Sequence, residues 1–251
     1  MGVNRFAGRD GAGLVCREMG SGRPLVLLHG FMGTGSHMLA YGRAAGFAGQ
    51  GYRVIAPDFR GHGDSAKPHD PAAYPPDVLA DDGLALVDHL GLGDEDYDLG
   101  GYSLGGRIVV RMLARGAKPG RAIVAGQGLA KVSGPQGGGV NHRVLTKLAG
   151  RGAIEPGSPD ARIAHWISEL GADPLALLPV LNSLVPTPED VLRQITIPTL
   201  VAIGEKDERS DADKLAALLP DARFVRVPGD HGSAFAAPEL TAAIAEFLAE
   251  R

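Results

Sequence analysis

Gly101-Tyr102-Ser103-Leu104-Gly105-Gly106 follows a short, partly apolar run, Tyr97-Asp98-Leu99-Gly100, and opens a helical pattern that reaches residue 115. This is G-x-S-x-G between a strand and a helix, the context that gives the pattern meaning. The serine must occupy a tight turn with strained backbone angles. The positions two residues to either side come too close for a Cβ, so glycine fits both. The turn lifts the Ser103 hydroxyl off the sheet at a helix N-terminus, where the N–H of Leu104 can help hold a developing oxyanion.

Working outward, the same rhythm recurs. Apolar runs at 24–28, 52–56, 121–126, 199–204 and 223–227 are rich in Val, Ile and Leu and bounded by Gly, Pro or polar residues. Such runs suit strands buried on both faces. Helical patterns lie between them at 77–90, 104–115, 211–219 and 238–248. The alternation argues for an α/β class with a mostly parallel central sheet and helices on both faces. Arg5-Phe6 and residues 14–18 read as an antiparallel hairpin at the sheet edge.

From about 127 to 186 the strand signal stops. A loop-like stretch, Ser133-Gly134-Pro135-Gln136-Gly137-Gly138-Gly139, precedes helical patterns at 142–148, 159–170 and 174–184. This reads as a small helical cap inserted into a single domain that spans 1–251.

The bulk composition narrows the function classes. The chain has 251 residues, 44% hydrophobic and 22% charged, with a net charge of -4. That is ordinary globular composition, and no basic run forms a nucleic-acid patch. The single cysteine, Cys16, cannot form an internal disulfide or supply a Cys-based metal site, and it reads as a half-buried strand thiol. No positively charged segment followed by an apolar stretch opens the chain, and no apolar run is long enough to span a bilayer. The expectation is a cytoplasmic protein without nucleic-acid or membrane partners, acting as a monomer or homodimer on a small molecule.

Two more segments supply the groups that a serine nucleophile needs. Asp207 stands three residues beyond Gly204, where the run at 199–204 ends, and Glu205, Glu208 and Asp211 are local competitors. His231 follows the last run in Val227-Pro228-Gly229-Asp230-His231-Gly232. A histidine there can take the proton of Ser103 and donate its other ring nitrogen to Asp207; Asp230 is the nearest rival acid. His29, at the end of the run at 24–28, reads as a structural group holding loop backbone.

The chain resembles the α/β-hydrolase superfamily over essentially its whole length. The resemblance is carried by His29-Gly30, Asp58-Phe59-Arg60-Gly61-His62-Gly63-Asp64-Ser65, the stretch at 101–106, Asp207 and His231. It implies an eight-stranded sheet, a catalytic triad of Ser103, His231 and Asp207, and an oxyanion hole from the amides of Phe31 and Leu104. It also implies a variable cap before the acid-bearing strand. Arg60, His62 and Asp64 read as loop scaffolding. The elbow through Arg107 is also similar to that of a menaquinone-pathway synthase branch and of some C–C hydrolases. Epoxide hydrolases and haloalkane dehalogenases usually place aspartate where Ser103 stands.

The reading is a serine hydrolase for an ester or thioester, with no metal or organic cofactor. The alternatives are a C–C hydrolase or lyase with the same triad, and a non-turnover ligand-binding protein on the same frame. Met32, Tyr102, Trp166 and Leu181 are the expected substrate-lining residues.

Overall fold

Alternation along each strand builds the core. In the computed structural model, which describes residues 2–40, 43–134 and 139–250, Leu25 and Leu27 face one side of the sheet. Val26 and Leu28 face the other, and all four are buried. Each such side chain stabilises the fold by about 1.5–3 kcal/mol when taken out of water.

The strands are β1 (Gly2–Ala7), β2 (Gly13–Gly20), β3 (Arg23–Leu28), β4 (Tyr52–Asp58), β5 (Asp98–Tyr102), β6 (Arg121–Ala125), β7 (Thr199–Gly204) and β8 (Ala222–Val227). They form one eight-stranded sheet in the order β1-β2-β4-β3-β5-β6-β7-β8. β2 is antiparallel to both of its neighbours, β1 and β4. All later pairings are parallel, from Leu25 beside Asp98 to Gly204 beside Val227.

The helices are α1 (Gly35–Leu39), α2 (Arg43–Gly49), α3 (Val78–His89), α4 (Leu104–Ala114), α5 (Leu129–Ser133), α6 (Gly139–Thr146), α7 (Pro159–Glu169), α8 (Pro174–Asn182), α9 (Glu189–Leu192), α10 (Ala212–Leu218), α11 (Ser233–Ala236) and α12 (Pro238–Ala249). Helices α3, α4 and α10 cover one sheet face through Leu79, Leu86, Val109, Met112 and Leu215. Helices α1, α2 and α12 cover the other through Met38, Phe47, Leu240, Ile244 and Phe247.

Helices α5 to α9 fill the connection between β6 and β7. Val144, Leu145, Ile167, Leu177 and Leu178 give this segment its own small core. Helix α6 begins before the expected 142 and stops short of 148. The backbone beyond it turns through Lys147–Arg151, where Gly150 takes φ 79°, a left-handed conformation that ends a helix. Residues 135–138 of the expected loop-like stretch lie outside the described residues.

Cys16 departs from its expected half-burial. It is fully buried, because β2 is sandwiched between β1 and β4 and its side chain joins the core with Leu14 and Ile55. Burial pushes its thiol up to about 11. No described helix is long and apolar enough to cross a membrane.

Candidate active site

Strand β5 runs straight into α4, and Ser103 is the hinge. Its backbone stands at φ 55°, ψ −116°, a region that non-glycine residues rarely occupy. Such strain costs on the order of 1–3 kcal/mol and persists only where the surroundings enforce it. Here the Ser103 N–H donates to the Ala125 carbonyl at 2.8 Å. The Ser103 carbonyl accepts from the Arg107 amide at 3.1 Å and from Gln127 Nε2 at 2.6 Å. A Cβ on Gly101 would overlap the Gly105 carbonyl, and one on Gly105 would overlap that of Leu28. The two motif glycines are therefore required by close packing.

The loops after β7 and β8 bring Asp207 and His231 to Ser103. His231 Nε2 lies 2.9 Å from Ser103 Oγ, and His231 Nδ1 lies 2.7 Å from Asp207 Oδ2. A carboxylate accepts, so Nδ1 carries the proton and Nε2 faces the serine hydroxyl as an acceptor. The Asp207 side chain is fully buried. Its Oδ1 accepts from the Arg209 amide at 3.0 Å and from the Arg209 guanidinium at 3.2 Å. Burial alone would raise this carboxyl, but the Arg209 amide, the His231 ring and the Arg209 charge outweigh it and hold it below the usual range.

The rival acids are spent elsewhere. Asp230 accepts from the N–H groups of Gly232 and Ser233 and from the Ser233 hydroxyl. Asp211 accepts from the Ala130 amide at 2.8 Å.

The loop after β3 passes beside the serine, since a Cβ on Gly30 would stand 3.5 Å from Ser103 Cβ. His29 holds this loop: its Nδ1 lies 2.8 Å from the Gly30 carbonyl, and its Nε2 accepts from the Phe59 amide at 3.0 Å. Among the described residues, the N–H groups of Phe31 and Leu104 donate to no protein acceptor. Two undirected amides beside a serine hydroxyl can take an oxyanion.

A cavity of about 690 Å³ opens over Ser103 and His231. Trp166 and Leu181 line it, together with Phe31, Leu104 and Leu184. Trp166 is 47% exposed. Met32 and Tyr102 do not reach it. Met32, at φ 61°, turns into the core of the α6–α8 segment beside Leu177. Tyr102 alternates to the opposite sheet face, packs on Phe235 and donates its hydroxyl to the His231 carbonyl at 2.6 Å. It supports the histidine loop from below. The structure therefore does not give Met32 or Tyr102 the lining position expected from sequence.

Three residues at the site carried no role in the sequence reading. Arg107 lies one helical turn beyond Ser103, a spacing that places both on one face of α4. Gln127 follows the glycine that ends β6, and Arg209 stands two residues beyond Asp207. Among the described residues, no group of three or more His, Cys, Asp or Glu side chains is placed to hold a metal ion.

Comparisons with known proteins agree with this architecture. A family model described as the alpha/beta hydrolase family matches residues 25–244. A non-heme haloperoxidase from Rhodococcus erythropolis is 29% identical over 89% of this chain and 90% of its own. The AB hydrolase superfamily protein YisY of Bacillus subtilis is 35% identical over 41% of this chain, a stretch that spans only 36% of that relative. An esterase from Exiguobacterium antarcticum superposes with a TM-score of 0.78 over 99% of both chains at 23% identity. A thermophilic esterase from Thermogutta terrifontis superposes with a TM-score of 0.75 over 99% of this chain and 98% of its own at 25% identity.

Proposed function

The chain belongs to the alpha/beta hydrolase family, and within it we propose a serine hydrolase that cleaves a small-molecule ester or thioester through an acyl-enzyme on Ser103. One observation carries the reading: the relay from Ser103 Oγ to His231 Nε2, and from Nδ1 to the buried Asp207, is closed at 2.9 and 2.7 Å.

His231 takes the hydroxyl proton as Ser103 Oγ attacks the carbonyl carbon. The amides of Phe31 and Leu104 receive the oxyanion, and Asp207 stabilises the imidazolium. The imidazolium returns its proton to the leaving alcohol or thiol. Water then repeats the cycle: His231 takes one of its protons, and the acid departs as Ser103 recovers its own. The helical segment at 127–186 serves as the cap that shapes the acyl site. Serine at the elbow, where the resemblance places aspartate in epoxide hydrolases and dehalogenases, favours acyl transfer over those reactions.

Labelling with a fluorophosphonate followed by peptide mass spectrometry tests this. Modification at Ser103, absent in Ser103→Ala, is the expected result, with ester turnover falling by about 10⁴-fold or more in the same variant. Folded wild-type protein that takes no label at Ser103 would overturn the reading and favour a binding protein on a hydrolase frame.

A further inference from the structure

The peptide group between Ser103 and Leu104 has two ends with different duties. Its N–H is one oxyanion donor of the serine-hydrolase reading. Its carbonyl, that of Ser103, points the opposite way, because a trans peptide is planar and fixes the two bonds antiparallel. Whatever holds that carbonyl sets the direction of the Leu104 N–H.

Two groups hold it. The Arg107 amide donates at 3.1 Å, the ordinary first bond of α4. Gln127 Nε2 donates at 2.6 Å, a bond additional to the helix. The atom that meets a carbonyl must be the amide nitrogen, since a carbonyl only accepts. Gln127 is 4% exposed, and among the described residues its Oε1 has no hydrogen-bond partner. A buried amide oxygen left unpaired is costly, and packing alone favours an apolar side chain at such a place. A half-satisfied buried amide beside a nucleophile therefore needs a functional reason.

The chain after β6 delivers this residue through a tight passage. The Ala125 carbonyl, at the end of β6, accepts from the Ser103 N–H at 2.8 Å. Gly126 then turns at φ 65°, where a Cβ would stand 3.0 Å from the Tyr102 ring and 3.2 Å from His231 Cε1. Gln127, which lines the cavity, follows and reaches the Ser103 carbonyl. Residues 125 and 127 thus grip Ser103 at its N–H and at its carbonyl.

Resting on the serine-hydrolase reading, we propose that Gln127 is a positioning residue of the oxyanion hole: by donating to the Ser103 carbonyl it aims and polarises the Leu104 N–H at the other end of the same peptide group.

Hydrogen bonds in a chain polarise one another. A donor on the carbonyl oxygen draws electron density from the amide nitrogen, so the amide hydrogen becomes more positive. The benefit grows as negative charge develops on the substrate oxygen. It therefore acts on the transition state more than on the bound ester. In this role Gln127 acts through the peptide and not on the reacting atoms.

Turnover of 4-nitrophenyl butyrate, with Ser103→Ala as the blank, reads the effect. Gln127→Leu removes the donor. Its kcat and kcat/KM are expected to fall together by about tenfold with KM little changed, the mark of an interaction made in the transition state. Loss of a whole oxyanion donor costs more, about 10²–10³-fold. Gln127→Glu separates positioning from packing. At about pH 8 its carboxylate faces the Ser103 carbonyl without a proton to donate, and burial lifts its carboxyl above the ordinary value of about 4.3. As pH is lowered towards about 5.5 the acid gains a proton, which it donates to the carbonyl. The ratio of variant to wild-type kcat is therefore expected to climb, because the His231 titration is common to both and cancels.

A Gln127→Leu enzyme within about twofold of wild type, or a loss carried by KM alone, would overturn the role of Gln127 while leaving the serine hydrolase intact. A Gln127→Glu ratio that stays flat with pH would do the same, and it decides alone if Gln127→Leu fails to fold. Wild type that neither turns over the ester nor takes the fluorophosphonate would overturn both.

Discussion

Two clusters in this molecule use the same residue types. The turn at 58–65 brings together Asp58, Ser65, His62 and Arg17, and the site brings together Asp207, Ser103, His231 and Arg209. In the turn Asp58 and Ser65 are tied to backbone, His62 is buried, and Arg17 is held between the carboxylates of Asp58 and Asp64. Asp58 accepts from the amides of Gly35 and Asp64 at 2.7 and 2.8 Å, and from Arg17 at 2.7 Å. Ser65 Oγ donates to the Asp58 carbonyl at 2.6 Å and accepts from the Val15 amide at 2.9 Å. At the site, Ser103 Oγ hydrogen-bonds among the described residues only to a histidine ring, and that ring is 31% exposed beside a cavity. Composition is shared; what differs is whether the groups face backbone or open space.

The largest test of that difference pairs two carboxylates. Asp207→Asn should lower ester turnover by about 10⁴-fold, because an amide does not hold the histidine tautomer, while the melting temperature moves little. Asp58→Ala should do the reverse. It strands the amides of Gly35 and Asp64 and leaves Arg17 with its exposed partner Asp64 alone, which costs about 2–5 kcal/mol, read as a lowered urea midpoint. If the two variants lose stability equally, the contrast between the clusters fails.

A smaller effect separates the clusters by pH. Burial pushes His29 down to about 4 and His62 down to about 3, from an ordinary value of 6.5. The unfolded chain therefore binds protons first as pH falls below 6.5. Stability contributed by these rings is full above pH 6.5 and declines towards pH 4, by about 1.4 kcal/mol per pH unit for each histidine. Urea midpoints measured between pH 6.5 and 5 should fall with that slope, and His62→Gln should remove about half of it. A flat profile would mean that both rings titrate normally in the fold.

Much of this was legible in the sequence for a physical reason. Strands buried on both faces leave continuous apolar runs, and glycine or proline marks their ends. Ser103, Asp207 and His231 all sit within a few residues of such an end. The short helices α1, α2, α5, α9 and α11, of four to seven residues, are too brief to show a period. Side-chain direction was not legible either. Tyr102 adjoins Ser103 in the chain yet faces the other side of the sheet, whereas Trp166 and Leu181 reach the cavity from helices far along the chain. Arg107 could have been found by counting one helical turn from Ser103, but the cavity that gives it meaning exists only after α5 to α8 have packed.

The smallest expected effect concerns Arg209, and it tests how the site resembles the turn. Asp207 Oδ1 accepts from both the amide and the guanidinium of Arg209, so part of this carboxylate is held as firmly as Asp58. Its folded carboxyl lies below the ordinary value of 3.8. Its contribution to stability is therefore present above that pH and is lost as pH falls through the folded value. Arg209→Gln keeps the amide and His231 but removes the cation, which moves the folded value back towards 3.8. The loss then begins at higher pH. The acid-unfolding midpoint followed by circular dichroism should rise by roughly a few tenths of a pH unit relative to wild type. Coincident curves would show that the amide and His231 alone hold the carboxylate, leaving Arg209 to balance Glu208 at the cavity.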